Sequence, residues 1–317
     1  MMSLFLPLVL LFLLFFLLGK AADFVVDALR FFGRRLGIST MLLGIVLGIF
    51  TNLPEFAVGI DSIGRGEPSL AVGDLLGGVF VLFGIVLALS LALAGKVPTD
   101  GKLRSILPIL VYSFLPVILF AIDGSLSALD GVILVVGYVI AIVSLARAGD
   151  ITYHPSGRPS GRKLHHELLL LLIGACAIAI IAHYIVSLTV LLLAALAVPA
   201  FLVGLIVFSI GTNLPELAIA IEAWRRGAKS LSLANLLGSA MGQAFILGLL
   251  ALVQPLPVMR DASFMIIFIM KAILFIAIAL FYRSGRAFSR REGAALFTIY
   301  VIFIFLQIVA PVIAHTR

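Results

Sequence analysis

The sequence predicts an all-α polytopic membrane protein, with ten transmembrane helices arranged as two inverted five-helix repeats. The first observation behind this is composition. Hydrophobic residues make up 63% of the 317, charged residues only 12%, and the mean hydropathy is +1.27. A soluble domain cannot hide that much apolar side chain, so the solvent is lipid. The second is an internal repeat. Shifted by 161 residues, Ile49–Phe83 falls on Ile210–Ala244 without a gap, and fifteen of 35 positions are identical. The third is the placement of Lys and Arg. Seventeen lie in the joints after the first, third, fifth, seventh and ninth apolar runs, and three in the other joints and at the C-terminus. By the positive-inside rule the odd joints are cytoplasmic and both termini lie outside.

At about 20 residues per span the length admits roughly ten helices with short joints. The expected spans are 4–29, 38–63, 69–93, 104–122, 126–146, 167–194, 199–224, 230–252, 263–282 and 294–314. Turn residues punctuate them at Gly33, Gly64-Arg65-Gly66, Pro98 and Pro255-Leu256-Pro257. The apolar start, Met1–Leu18, lacks a basic n-region and is expected to be half of a retained span rather than a signal peptide. The first repeat covers 1–147, with its central block at 38–93. A cytoplasmic linker follows at 148–166, and the second repeat covers 167–317, with its block at 199–252. Five spans is an odd number, so the second repeat enters the membrane upside down. Inverted repeats with function at their interface are the usual build of secondary transporters.

The net charge of +7 sits between apolar runs, where topology accounts for it, so a nucleic-acid partner is not expected. Membrane lipid and inorganic cations are the expected partners, the cell membrane the expected location, and the monomer the expected working form. The single Cys176 excludes an internal disulfide.

The chemistry concentrates in the repeated stretch Thr51-Asn52-Leu53-Pro54-Glu55 and Thr212-Asn213-Leu214-Pro215-Glu216. Proline in mid-span removes a donor and frees carbonyls in the preceding turn. A carboxylate at membrane depth costs several kcal/mol unless it is paired, protonated or cation-bound. A cation resolves both anomalies: Ca²⁺ takes six to eight oxygens from carboxylates, carbonyls and water. Glu55 and Glu216, with carbonyls near Thr51 and Thr212, supply part of such a shell. The competing explanation, a kink with a hydrogen-bonded glutamate, accommodates one occurrence better than two equivalent ones. Some twenty residues on come Gly73-Asp74-Leu75-Leu76-Gly77-Gly78 and Ala234-Asn235-Leu236-Leu237-Gly238-Ser239, the latter followed by Gln243. Small residues let helices approach closely. Asp74 is either an interfacial residue or a third acidic ligand.

These doubled blocks resemble the α-repeats of the cation/Ca²⁺ exchanger superfamily, especially its small prokaryotic members with ten spans. The resemblance implies a Ca²⁺ antiporter in which spans one and six slide across a core formed by the others, with no cofactor beyond the transported Ca²⁺ and Na⁺ or H⁺. Carried over by position, Glu55 and Glu216 match the Ca²⁺ glutamates, Thr51 and Thr212 match residues whose oxygens meet the ions, and Ser239 matches a hydroxyl ligand. Where sodium-coupled members have Ser after the Thr, this chain has Asn52 and Asn213, as proton-coupled members do. Gly78 stands where the first cluster has Ser, Leu82 where it has Asn, and Gln243 where the second has an acid or Asn. Asp74 and Asn235 occupy positions where both clusters have Asn. Na⁺ and H⁺ both remain open as the coupling ion, and the selectivity among divalent ions is open too.

Other charged residues have simpler explanations. Asp61 and Glu222 correspond across the repeats but lie about 240° around the helix from the glutamates, so solvated or paired ends are expected. Lys271, at the centre of the ninth span, is expected in a pair or snorkelling. Lys20, Asp23 and Asp27 are expected to pair locally, and His165-His166-Glu167 to lie on the surface. A channel and an antiporter for another cation are the competing functions. An intramembrane enzyme is more remote: no Tyr-Asp, His-Glu-x-x-His or Gly-x-Ser-x-Gly occurs, and no Walker motif signals ATP drive.

Overall fold

The structure, a computed structural model, describes residues 2–35, 51–148, 164–196, 198–225 and 229–315. The first half of the expected second span and most of the linker lie outside the described residues. Among the described residues, nine helices are long and apolar enough to cross a membrane, and they fall on nine of the ten expected spans.

Helix α1 (Met2–Arg35) leads, and the second span is described from Thr51 onward as α2 (Leu53–Gly64). The third span runs through α3 (Pro68–Val81), a π-turn at Leu82–Leu87 and α4 (Ala88–Ala94). Helices α5 (Leu103–Asp123), α6 (Ala128–Ala148) and α7 (Leu164–Leu196) follow. The seventh span is broken into α8 (Ala200–Val203), a π-turn at Gly204–Phe208, α9 (Ser209–Thr212) and α10 (Leu214–Arg225). Helices α11 (Lys229–Val253), α12 (Ala262–Ser284) and α13 (Arg290–His315) complete the chain.

Where a purely helical chain was expected, the described residues also include four two-residue strands, because extended joints meet across the ends of the bundle. β1 (Val97–Pro98) pairs antiparallel with β4 (Ala287–Phe288), and β2 (Ser125–Leu126) with β3 (Leu256–Pro257). The two ladders correspond residue for residue. Val97 faces Phe288 as Leu256 faces Leu126, and all four are buried. One ladder joins the joints after the third and ninth spans, the other those after the fourth and eighth. Helix starts correspond as well: the Ser127 amide donates to Asp130 Oδ2 at 2.8 Å, and the Ser289 amide to Glu292 Oε2 at 2.6 Å.

Two apolar cores form. The larger gathers around α3, α5, α11, α12 and α13, where Phe80 stacks on Phe303 with centroids 3.7 Å apart. The smaller binds α1 to α7 through Leu18, Ala22, Val25, Ile178, Ala182 and Ile185. A polar cluster ties α7 back to α2. Asp61 accepts from Arg65 Nε at 2.7 Å and meets His183 Nδ1 at 2.8 Å, while Arg65 also reaches Ser187. Asp61 is thus paired at a span end, as expected; the side chain of Glu222 lies outside the description.

Close backbone approach fixes the crossing of α3 with the first half of the seventh span. A Cβ at Gly73 would stand 2.2 Å from the Phe201 carbonyl oxygen, and one at Gly77 2.3 Å from that of Leu205. From the other side, a Cβ at Gly204 would stand 2.1 Å from the Leu70 carbonyl oxygen. Glycines four apart, at 73 and 77, therefore let two backbones touch, the small-residue device of membrane helix pairs.

Three surface or pairing expectations resolve. Lys20 Nζ meets Asp23 Oδ2 at 3.2 Å. Lys271 does not snorkel and meets no acid within ion-pair distance among the described residues: it is buried, and its ammonium lies 5.7 Å from the Phe275 ring centroid, a cation–π contact inside the bundle. His165 and His166 are exposed, as expected, but Glu167 is fully buried, its Oε1 3.8 Å from His166 Nδ1.

Candidate functional site

Both repeated motifs break their helices at the same residue with the same geometry. Asn52 has φ −86° and ψ 11°, and Asn213 has φ −85° and ψ 11°. The cause is local: Asn213 closes α9, and Pro54 and Pro215 lie in the first turns of α2 and α10, where a missing N–H is harmless. Glu55 and Glu216 consequently fall in the first turns of α2 and α10, where the positive end of the helix dipole favours a carboxylate.

The structure buries all the expected residues and links nine of them in one polar zone, with Asn235 buried one turn before Ser239 on α11. Thr51, Asn52, Glu55, Asp74, Thr212, Asn213, Glu216, Asn235, Ser239 and Gln243 are all buried, none more than 1% exposed. Hydrogen bonds cross between the repeats. Thr51 Oγ1 lies 3.0 Å from Ser239 Oγ, and Asn52 Nδ2 donates to the Ser239 carbonyl at 2.9 Å. Ser239 Oγ donates to Glu216 Oε1 at 3.2 Å. In the other direction, Thr212 Oγ1 donates to Asp74 Oδ1 at 2.9 Å. Asn213 Nδ2 donates to the Ser209 carbonyl at 2.8 Å, and Asn213 Oδ1 accepts from Gln243 Nε2 at 3.2 Å. Asp74 is therefore not interfacial; it faces the zone from α3.

What stays unsatisfied defines the chemistry. Among the described residues, no hydrogen bond reaches either oxygen of Glu55, or Asn52 Oδ1, Asp74 Oδ2, Glu216 Oε2, Asn235 Oδ1 or Gln243 Oε1. Glu216 and Asp74 are the charges that bear on Glu55, and the Thr212 hydroxyl lies nearby without bonding it. None of the three acids meets a basic side chain within ion-pair distance among the described residues. Buried acceptors and like charges without donors are costly, and a bound cation removes that cost. No three His, Cys, Asp or Glu converge on one point among the described residues. A shell built here must therefore include hydroxyl, carboxamide or carbonyl oxygens as well as carboxylates. Sequence reasoning had no means of adding His183 to the local Asp61–Arg65 pair, because α7 and α2 are brought together only by packing.

Helices broken at membrane depth, opposed across a zone of orphaned oxygens, define a polytopic transporter of small ions. The sequence profile of the family described as "Sodium/calcium exchanger protein" matches residues 6–146 and 166–309, and the chain belongs to that family. It is a family of transporters, not enzymes. Among similar proteins, the Escherichia coli inner membrane protein YrbG is 29% identical over 264 residues, covering 78% of this chain and 81% of its own. The sodium/calcium exchanger MaX1 of Methanosarcina acetivorans is 34% identical over 139 residues, covering 44% of this chain and 39% of its own. Two solved folds resemble this one. The sodium–calcium exchanger NCX_Mj, soaked with Na⁺ and Sr²⁺, superposes with a TM-score of 0.68 at 24% identity, covering 94% of this chain and 98% of that one. The H⁺/Ca²⁺ exchanger CAX superposes with a TM-score of 0.74 at 19% identity, covering 95% and 86%.

Proposed function

We propose that this protein is a secondary antiporter that moves Ca²⁺ out of the cytoplasm across the cell membrane, in exchange for Na⁺ or H⁺. Glu55 and Glu216 are the central ligands, with Thr51, Thr212 and Ser239 supplying hydroxyls and Asn52, Asp74 and Asn235 supplying further oxygens. The observation that carries this reading is the set of orphaned oxygens gathered from both repeats in a fully buried zone with no basic partner among the described residues. Divalent and counter-ions compete for the same carboxylates, so occupancy by one excludes the other, and that exclusion couples the two fluxes.

Ten spans in two inverted repeats, with both termini outside, complete the proposal. Two features support it. The ladders β1–β4 and β2–β3 interchange when the repeats are exchanged, and each links joints that the Lys and Arg distribution assigns to one side. Helices α1 and α7 pack against each other through the smaller apolar core, which meets the remainder only through a few residues such as Val58, Leu70 and Phe208 and so suits a two-helix layer sliding over it.

The test is ⁴⁵Ca²⁺ uptake into proteoliposomes holding the purified protein, with outward Na⁺ and pH gradients imposed separately. Uptake driven by either gradient supports antiport and identifies the coupling ion. Uptake that persists unchanged with no gradient of a second ion points to a channel, and no Ca²⁺ movement under either gradient refutes Ca²⁺ as the cargo.

A further inference from the structure

The two halves of the site correspond by the shift of 161 residues, yet they are furnished differently, and the difference centres on Gln243. In one half, Ser239 stands beside Asn52. Its carbonyl accepts from Asn52 Nδ2, its hydroxyl meets Thr51 and Glu216, and among the described residues Asn52 Oδ1 accepts no hydrogen bond. The residue one helical turn past Ser239 is Gln243. In the other half the equivalents of Ser239 and Gln243 are Gly78 and Leu82.

Gly78 has no side chain, and the Gln243 carboxamide fills the space. A Cβ at Gly78 would stand 2.3 Å from Gln243 Nε2, 2.8 Å from Cδ and 2.9 Å from Oε1, so the whole amide lies on the glycine. From there Nε2 donates to Asn213 Oδ1 at 3.2 Å, while Asn213 Nδ2 is committed to the Ser209 carbonyl. Both ends of the Asn213 carboxamide are thereby used. A cation that approached Asn213 Oδ1 would meet an N–H hydrogen of the same sign of charge in the place where a further oxygen ligand is needed.

We propose that Gln243 is a specificity-determining plug: its uncharged carboxamide, seated on Gly78, closes the Asn213 half of the site to a monovalent cation and leaves the Asn52 half open. The inference rests on the reading of this zone as a cation site, and it assigns to one residue pair the number of counter-ions held with the carboxylates. Gly78 and Gln243 work as a matched pair. The space that glycine leaves is the space the carboxamide needs.

The test transplants the open half onto the closed one. Purified wild type, Gly78→Ser, Gln243→Leu and the Gly78→Ser/Gln243→Leu double variant are compared by thermal unfolding in Na⁺ and Ca²⁺ titrations, and by Na⁺-dependent ⁴⁵Ca²⁺ flux. Gly78→Ser alone is expected to lower Tm, because the new Cβ collides with the carboxamide, and the double variant to recover it. In the double variant, saturating Na⁺ is expected to raise Tm by about 3 °C or more beyond its effect on wild type, a shift that packing alone does not produce. Its flux is expected to depend more steeply on Na⁺ than that of wild type. Gly78→Ser at the wild-type Tm overturns the plug, and so does a double variant with an unchanged response to Na⁺. A wild type whose Tm and flux ignore Ca²⁺ would instead refute the divalent reading; the Gly78–Gln243 packing is still judged by the Tm values of the four proteins.

Discussion

Replacing Gly77 by alanine tests whether the crossing of α3 with the seventh span sets the geometry of the site. The new Cβ would lie 2.3 Å from the Leu205 carbonyl oxygen and 3.0 Å from Ser209 Cβ. Ordinary contact begins near 3.4 Å, so the helices must separate by 3.4 − 2.3, about 1 Å. Asp74 is one turn before Gly77 on α3, and Thr212 one turn after Ser209. Their hydrogen bond, 2.9 Å here, would stretch beyond hydrogen-bonding range. Overpacking costs about 1–3 kcal/mol, and loss of a hydrogen bond to a buried carboxylate adds roughly 1.5–3 kcal/mol. The expected result is a Tm several degrees below wild type in detergent and ⁴⁵Ca²⁺ uptake reduced by about a hundredfold, the usual consequence of a 1 Å misplacement. Gly64→Ala is the control, because nothing lies within 4 Å of a Cβ there and both readouts are expected to stay at wild-type values. Gly77→Ala with wild-type Tm and uptake would refute the argument that backbone contact positions Asp74 and Thr212.

Other perturbations probe separate parts of the molecule. Glu55→Gln and Glu216→Gln should each abolish Ca²⁺ transport while the protein stays folded, and each should remove the Ca²⁺-induced rise in Tm expected of a ligand that binds only the native state; wild-type uptake in either variant would contradict the ligand assignment. Arg65→Ala removes the guanidinium that joins Asp61 to α7, where all the groups are partly exposed, so the loss in stability should stay below about 1 kcal/mol. If the cluster steadies α7 against α2, the transport rate should nevertheless change; identical rates would limit the cluster to local packing. Outside the membrane, burial pulls the Asp100 carboxyl upward, but hydrogen bonds from the Ser105 hydroxyl and the Lys102 amide outweigh it and hold the group below the usual carboxylate range. A lowered folded pKa means that its contribution is present above the unfolded pKa and lost as pH falls through the folded value. Asp100→Ala should therefore lower stability by no more than about 1 kcal/mol at neutral pH, the scale of a partly exposed hydrogen-bonded carboxylate, with the gap closing in acid; a gap independent of pH would show that the carboxylate is not the source.

The sequence determined the solvent, the nine spans found among the described residues and which polar residues lie buried between them, because each leaves a mark along the chain. Lipid demands long apolar runs, a broken helix at membrane depth demands proline and a reason, and duplication copies that reason 161 residues on. Most described helix ends lie within about four residues of the expected ones for the same cause, apolar runs stopping where water begins, whereas α1 runs on to Arg35, six residues past its expected end. Position in space was not legible. Asp74 had two open roles on paper, and only the hydrogen bond from Thr212, 138 residues away, turns it toward the zone. Gly78 and Gln243 read as two independent departures until packing puts one in the space left by the other. Glu167 was expected at the surface and Lys271 in a pair or snorkelling, yet both are buried. The pairing of α1 with α7, and the ladders that join distant joints, likewise depend on which apolar faces meet. A chain pattern states what a side chain needs; which neighbour supplies it is decided by helices far apart in sequence that share one small volume.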